Sequence, residues 1–177
     1  MKIRLLTKDD VTIYANYIVE NREFLKPWQP KSEKRRSTKA EWNEIIQRNL
    51  ARQKQGEAYY FLAVSAQSGE IMAHCNISQI FYGPFRACYM GYAVAEKFQG
   101  QGVMFKSCRF VVDYAFNELN LHRIMANYMP RNKRSAALLE KLGFVKEGLA
   151  KDYLEINGKW EDHVLTSLTN KNFRTFS

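Results

Sequence analysis

A chain of 177 residues with 46% apolar and 14% aromatic side chains has the material for a packed core, which excludes a disordered segment. Its 27 Lys and Arg against 18 Asp and Glu leave a net charge of +9, which favours polyanionic partners and disfavours strongly cationic substrates. No apolar stretch reaches the ~20 residues of a membrane span, and Cys75, Cys88 and Cys108 lack Cys-x-x-Cys spacing, so they read as buried reduced thiols rather than metal ligands or a disulfide framework. The expectation is a cytoplasmic, metal-free protein with one domain over residues 1–177 and no membrane partner.

The alternation in Met1-Lys2-Ile3-Arg4-Leu5-Leu6-Thr7 predicts a strand over 2–6, not a leader peptide, and a helix is predicted over 8–20. Residues 22–39 carry Arg22, Lys26, Lys31, Lys34, Arg35, Arg36 and Lys39. This stretch reads as a solvated basic loop, with steering toward ribosomal RNA or an acidic surface as its functional alternative. Thr38 followed by Glu41 is a capping-box pattern that opens a helix running to Gln55. Strands are expected at 59–66, 71–81 and 86–94, the first two joined by Gln67-Ser68-Gly69-Glu70. A helix from 102 to about 119 follows, with Phe105, Cys108, Val112, Ala115, Phe116 and Leu119 at helical spacing. Then come a strand at 122–129 and a helix at 132–142, with Asn132 near its N-cap and Gly143 as its left-handed stop. Two last strands, 144–156 and 160–169, flank Asn157-Gly158, which supplies the two positive φ angles of a type I′ hairpin.

One junction carries chemistry. The strand-like Tyr89-Met90-Gly91-Tyr92-Ala93-Val94 leads into Gln99-Gly100-Gln101-Gly102-Val103-Met104, and a helix begins at once. Glycines let successive N–H groups converge on an anion, and the new helix adds its free amides and positive dipole end. Neither Gly-x-x-x-x-Gly-Lys-Ser/Thr nor an early Gly-x-Gly-x-x-Gly is present, which excludes a P-loop and a dinucleotide fold. The spacing Gln99-x-x-Gly102 resembles the cradle motif of the GNAT superfamily of N-acetyltransferases, and Pro130-Arg131-Asn132 through Lys141-Leu142-Gly143-Phe144 resembles the Asn-capped helix of the same family.

The resemblance implies an α/β (mixed α+β) GNAT fold: a central mixed, mostly antiparallel sheet, splayed at an acetyl-CoA site and flanked by helices. It implies that Gln99, Gly100, Gln101, Gly102, Val103 and Met104 hold the diphosphate of acetyl-CoA. It places Tyr92, Val94, Asn132 and Ser135 along the rest of the cofactor, and the backbone of Tyr92, Ala93 and Val94 where negative charge develops. Met104 stands where the family has Gly or Ala, and Leu139 where many members have an acidic Tyr. Ser135, one turn after Asn132, is therefore the hydroxyl expected near the sulfur, with simple packing as its alternative. For a general base, Glu155, Asp152, His74 and Tyr128 stay unranked, and Trp28, Tyr82, Phe85 and Trp160 either wall a peptide groove or pack in the core.

The stretches from His122 to Ser135, Glu147 to Tyr153 and Trp160 to Thr166 are similar to the Rim group of ribosomal-protein alanine N-acetyltransferases. That similarity implies acetylation of a ribosomal-protein amino terminus, alanine foremost, in the small subunit. An α-amine, with a pKa of about 7.7–8.0, is already roughly a quarter to two-fifths neutral at about pH 7.5, so a strong base is optional. Two other readings remain: a basic ribosome-assembly or RNA-associated protein, with ribosomal RNA or a pre-ribosomal particle as its partner, and an acetyltransferase of another small amine such as a polyamine.

Overall fold

The computed structural model describes residues 1–31 and 38–173. Seven strands form one sheet: β1 Lys2–Leu5, β2 Tyr59–Val64, β3 Ile71–Phe81, β4 Ala87–Val94, β5 Arg123–Met125, β6 Val145–Ile156 and β7 Lys159–Thr169. Their order is β1-β2-β3-β4-β5-β7-β6, with every pair antiparallel except β4–β5. Among the described residues five α-helices accompany them: α1 Val11–Glu20, α2 Arg22–Leu25, α3 Lys39–Lys54, α4 Val103–Asn117 and α5 Lys133–Leu142.

Helices cover both faces of the sheet because its strands carry apolar residues on both. Along β3 the residues Ile71, Ala73, Cys75 and Ile77 are buried while their neighbours are half-buried. On one face Cys75, Ile77 and Met90 pack against Cys108 and Val111 of α4 and Leu139 of α5. On the other, Leu62 and Ile71 meet Tyr17 of α1 and Trp42 and Ile46 of α3. Each large apolar side chain so buried contributes about 1.5–3 kcal/mol.

Helix boundaries follow local chemistry. At the start of α3, Thr38 Oγ1 accepts from the Glu41 amide at 3.2 Å, and the Glu41 carboxylate accepts from the Thr38 amide at 3.0 Å, the expected capping box. Asn132 Oδ1 caps α5 by accepting from the Ser135 amide at 3.1 Å, and Gly143 ends that helix at φ +91°. Asn157 and Gly158 have φ of +48° and +81°, as the hairpin turn requires.

Two expectations need correction. The basic stretch is not wholly a loop: residues 22–25 form α2 and Lys26–Trp28 a 3-10 turn, because Phe24 and Leu25 have an apolar cluster to join. The triplet Lys34-Arg35-Arg36 lies outside the described residues. The strand expected over 122–129 is only Arg123–Met125. Beyond it the chain leaves β4, and Tyr128 bridges to Val164 of β7 instead.

That departure opens the sheet. The β4–β5 ladder stops at Tyr89 and Met125, although β4 continues to Val94. The Ala95 amide donates to Met72 O on the β3 side at 2.9 Å. By alternation, residues 93 and 91 also face β3, and the amides of Tyr92 and Val94 point to the opposite, opened edge.

Candidate active site

The opening continues into a groove of about 890 Å³ between the end of β4, the loop before α4 and the start of α5. Tyr92, Ala93 and Val94 form its floor. The turn contributes Gln99, Gly100 and Gly102, and α4 contributes Val103 and Met104. Asn132 and Ser135 stand on the opposite bank, and Trp28 and Arg131 close one side. Of the residues singled out in the cradle, Gln101 alone does not border the groove; its side chain turns back to donate to Lys97 O at 3.0 Å.

The turn has the backbone geometry and charge of an anion cradle. Gly100 and Gly102 have φ of +71° and +72°, in the left-handed region that favours glycine, and a Cβ on either would meet nothing within 4 Å. A side chain at either position would project into open space beside the first amides of α4, where backbone donors and helix dipole favour negative charge. Arg134 donates to Gln99 Oε1, which ties the turn to α5. Lys133 and Arg134 add positive charge to the same walls.

At the floor of the groove the Tyr92 hydroxyl lies 2.7 Å from Ser135 Oγ. Burial holds the Tyr92 phenol well above its usual pKa, against the lowering influence of Ser135, so the hydroxyl keeps its proton. Sequence reasoning assigned Tyr92 through its backbone and missed this side chain. The signal was present: Tyr92 shares a strand face with Met90 and Cys88, and a buried tyrosine hydroxyl needs a partner. Leu139 is 1% exposed and belongs to the core, whereas its neighbour Leu138 borders the groove. The family's Tyr position is thus filled here by packing, and the phenol of this groove comes from β4.

The floor strand is braced from the other face. The Tyr17 hydroxyl donates to Ala93 O at 3.1 Å, and Asn21 Oδ1 accepts from the Glu96 amide at 2.8 Å. His74 packs edge-on to Tyr17 with ring centroids 5.4 Å apart, its Nδ1 buried and without a hydrogen-bond partner among the described residues. Burial lowers its pKa to about 4, so it stays neutral.

The other residues noted in the sequence disperse. Among the aromatic candidates Trp28 alone reaches the groove, beneath the Arg131 guanidinium at 5.5 Å from its ring centre. Tyr82, Phe85 and Trp160 are exposed away from it. Glu155 and Asp152 lie on β6, and the Tyr128 side chain joins the core. The three cysteines are free and buried, and burial pushes the Cys88 thiol up to about 12. Among the described residues no helix is long and apolar enough to cross a membrane.

Known proteins share this architecture. The chain is 45% identical over 167 residues to the [ribosomal protein uS5]-alanine N-acetyltransferase of Escherichia coli, covering 94% of this chain and 86% of that protein. The solved ribosomal-protein-S5-alanine acetyltransferase of Vibrio fischeri superposes with a TM-score of 0.91 at 41% identity, over 98% of this chain and 94% of that one. RimJ of Mycobacterium smegmatis, solved in complex with CoA-disulfide, superposes at 0.90 with 28% identity, over 98% of this chain and 83% of that one. The family model described as an acetyltransferase (GNAT) domain matches residues 1–145. With a matched profile over most of its length and the splayed sheet that accompanies it, the chain belongs to the GNAT acetyltransferase family.

Proposed function

We propose that the protein transfers an acetyl group from acetyl-CoA to the amino-terminal α-amine, alanine foremost, of a small-subunit ribosomal protein. The observation that carries the reading is the groove itself, in which an anion cradle and a buried hydroxyl pair flank a strand edge with outward amides. The similar proteins named for alanine acetylation of a ribosomal protein support the acceptor, and a cytoplasmic location goes with it.

The residues present fit the cofactor. Gly100, Gly102 and the first amides of α4 would hold its diphosphate, assisted by Gln99, Val103 and Met104, while Asn132 and Ser135 would flank its arm. When bound, acetyl-CoA supplies the reactive thioester. The amides of Tyr92 and Val94, pointing off the ladder, provide fixed donors for negative charge building on a carbonyl oxygen. The Ser135 hydroxyl, oriented by its hydrogen bond with Tyr92, would give a proton to the departing thiolate, and the proton that the attacking amine releases balances it. No strong base is required of the protein, since an α-amine is partly neutral near pH 7.5.

Incubating acetyl-CoA with synthetic amino-terminal peptides of ribosomal proteins, followed by mass spectrometry, tests the reading. Acetylation at the α-amine of alanine-starting peptides is expected. Transfer to polyamines with none to the peptides would overturn it in favour of a small-amine acetyltransferase.

A further inference from the structure

Gly91 lies inside β4 without a positive φ, so the backbone does not demand glycine there. Glycine inside a strand weakens it and marks a close approach. Here the approach is made by Asn76, its cross-strand partner on β3: a Cβ on Gly91 would lie 2.7 Å from Asn76 Oδ1. The carboxamide therefore lies across the site strand in the space the missing side chain leaves. It is half-buried, and among the described residues neither its oxygen nor its nitrogen has a hydrogen-bond partner.

Strand alternation puts Gly91 on the face of β4 opposite Met90 and Tyr92, and so opposite Ser135. Tyr89 lies two residues earlier on that face, and the Tyr153 hydroxyl near it receives a hydrogen bond from Asn127 Nδ2 at 3.3 Å. On the other side of β3 the register partner of Asn76 is Tyr60 of β2, whose hydroxyl accepts a hydrogen bond from the Arg52 guanidinium at 3.2 Å, so no carboxylate stands on either strand position that flanks Asn76.

We propose that Asn76 docks the first residue of the acceptor peptide on this face of β4, opposite the Tyr92–Ser135 groove; the inference rests on the acetyltransferase reading above. An α-amine and the carbonyl two atoms further on present donors and an acceptor, and a carboxamide presents the complementary pair. Its neutrality matters chemically. A carboxylate there would hold the acceptor as a charged ammonium and raise its pKa, whereas a carboxamide orients the amine and leaves it free to lose its proton. Gly91 is the specificity device beneath it, since any side chain would rotate the carboxamide away.

Steady-state kinetics with an alanine-starting peptide, alongside calorimetry with acetyl-CoA, tests the proposal. Asn76→Ala should raise the peptide KM about tenfold, equivalent to about 1.4 kcal/mol, with acetyl-CoA affinity unchanged. Asn76→Asp should move the alkaline rise of kcat/KM upward by about one pH unit. Gly91→Ala should reproduce the KM increase, and the Gly91→Ala/Asn76→Ala double variant should add nothing further. Wild-type peptide KM and an unshifted pH profile in both Asn76 variants would overturn the proposal, even if Gly91→Ala fails to fold. Absence of transfer to any peptide by the wild-type protein would instead overturn the acetyltransferase assignment beneath it.

Discussion

Ser135 and Tyr92 are the two hydroxyls that border the groove among the described residues, and their roles separate in kinetics. If Ser135 gives the proton and Tyr92 orients its hydroxyl, Ser135→Ala should lower kcat about ten- to a hundredfold, with acetyl-CoA affinity near wild type by calorimetry. Equal turnover would return Ser135 to packing beside its cap. His74 sets a different residue-scale dependence. Its pKa is about 4 in the fold and 6.5 in the unfolded chain, so the unfolded state takes up the proton first as pH falls. Stability is then fully present above about pH 6.5, declines down to about pH 4 by on the order of 3 kcal/mol, and levels off below. Urea melts across that range should show the decline in the wild type and a flatter profile in His74→Gln. Asp10 acts lower: burial opposes its charge, but hydrogen bonds from Arg4 and Thr7 more than offset that. Its contribution fades only as pH falls below its unfolded value of 3.8.

At the scale of elements, the turn between β4 and α4 is the decisive piece. Gly102 is the N-cap of α4 at φ +72°. Aspartate tolerates that conformation better than most residues and suits a helix N-terminus, so Gly102→Asp should preserve the fold. The same carboxylate would face the proposed diphosphate. Calorimetry should show acetyl-CoA binding weakened at least tenfold, about 1.4 kcal/mol, in a protein that stays folded with a melting temperature roughly 2–6 °C lower. Unaltered affinity in a folded variant would remove the cradle assignment. The other decisive element is β5, whose three residues end the parallel ladder early enough to free the amides of Tyr92 and Val94.

Over the whole molecule, the net charge of +9 exceeds what one polyanionic cofactor calls for. If the acceptor is presented among RNA phosphates, the basic stretch at residues 22–39 is the densest source of countercharge in the sequence. Replacing Lys34, Arg35 and Arg36 with Ala should leave turnover on a short peptide near wild type. Binding to ribosomal precursor particles should weaken, and the slope of log affinity against log salt should become shallower by up to roughly 2. Identical particle binding across the salt series would leave the stretch a solvated surface. Lost peptide turnover would show that it helps to build the acceptor site, consistent with α2 and Trp28 bordering the groove.

Local patterns determined the caps at Thr38 and Asn132, the Asn157-Gly158 hairpin, the order of strands and helices, and the glycine cradle. Each depends on a few neighbouring residues whose backbone preferences are nearly independent of the rest of the chain. Long-range packing decided the rest. Whether residues 126–129 continue a strand depends on whether β4 stays alongside, and whether Leu139 or Leu138 faces the groove depends on how α5 rolls against the core. The meeting of Tyr92 with Ser135, 43 residues apart, and of Asn76 with Gly91 across β3–β4 leaves no mark on local spacing. Such contacts exist only once the register is set, because a shift of one residue would send every side chain of the strand to the opposite face.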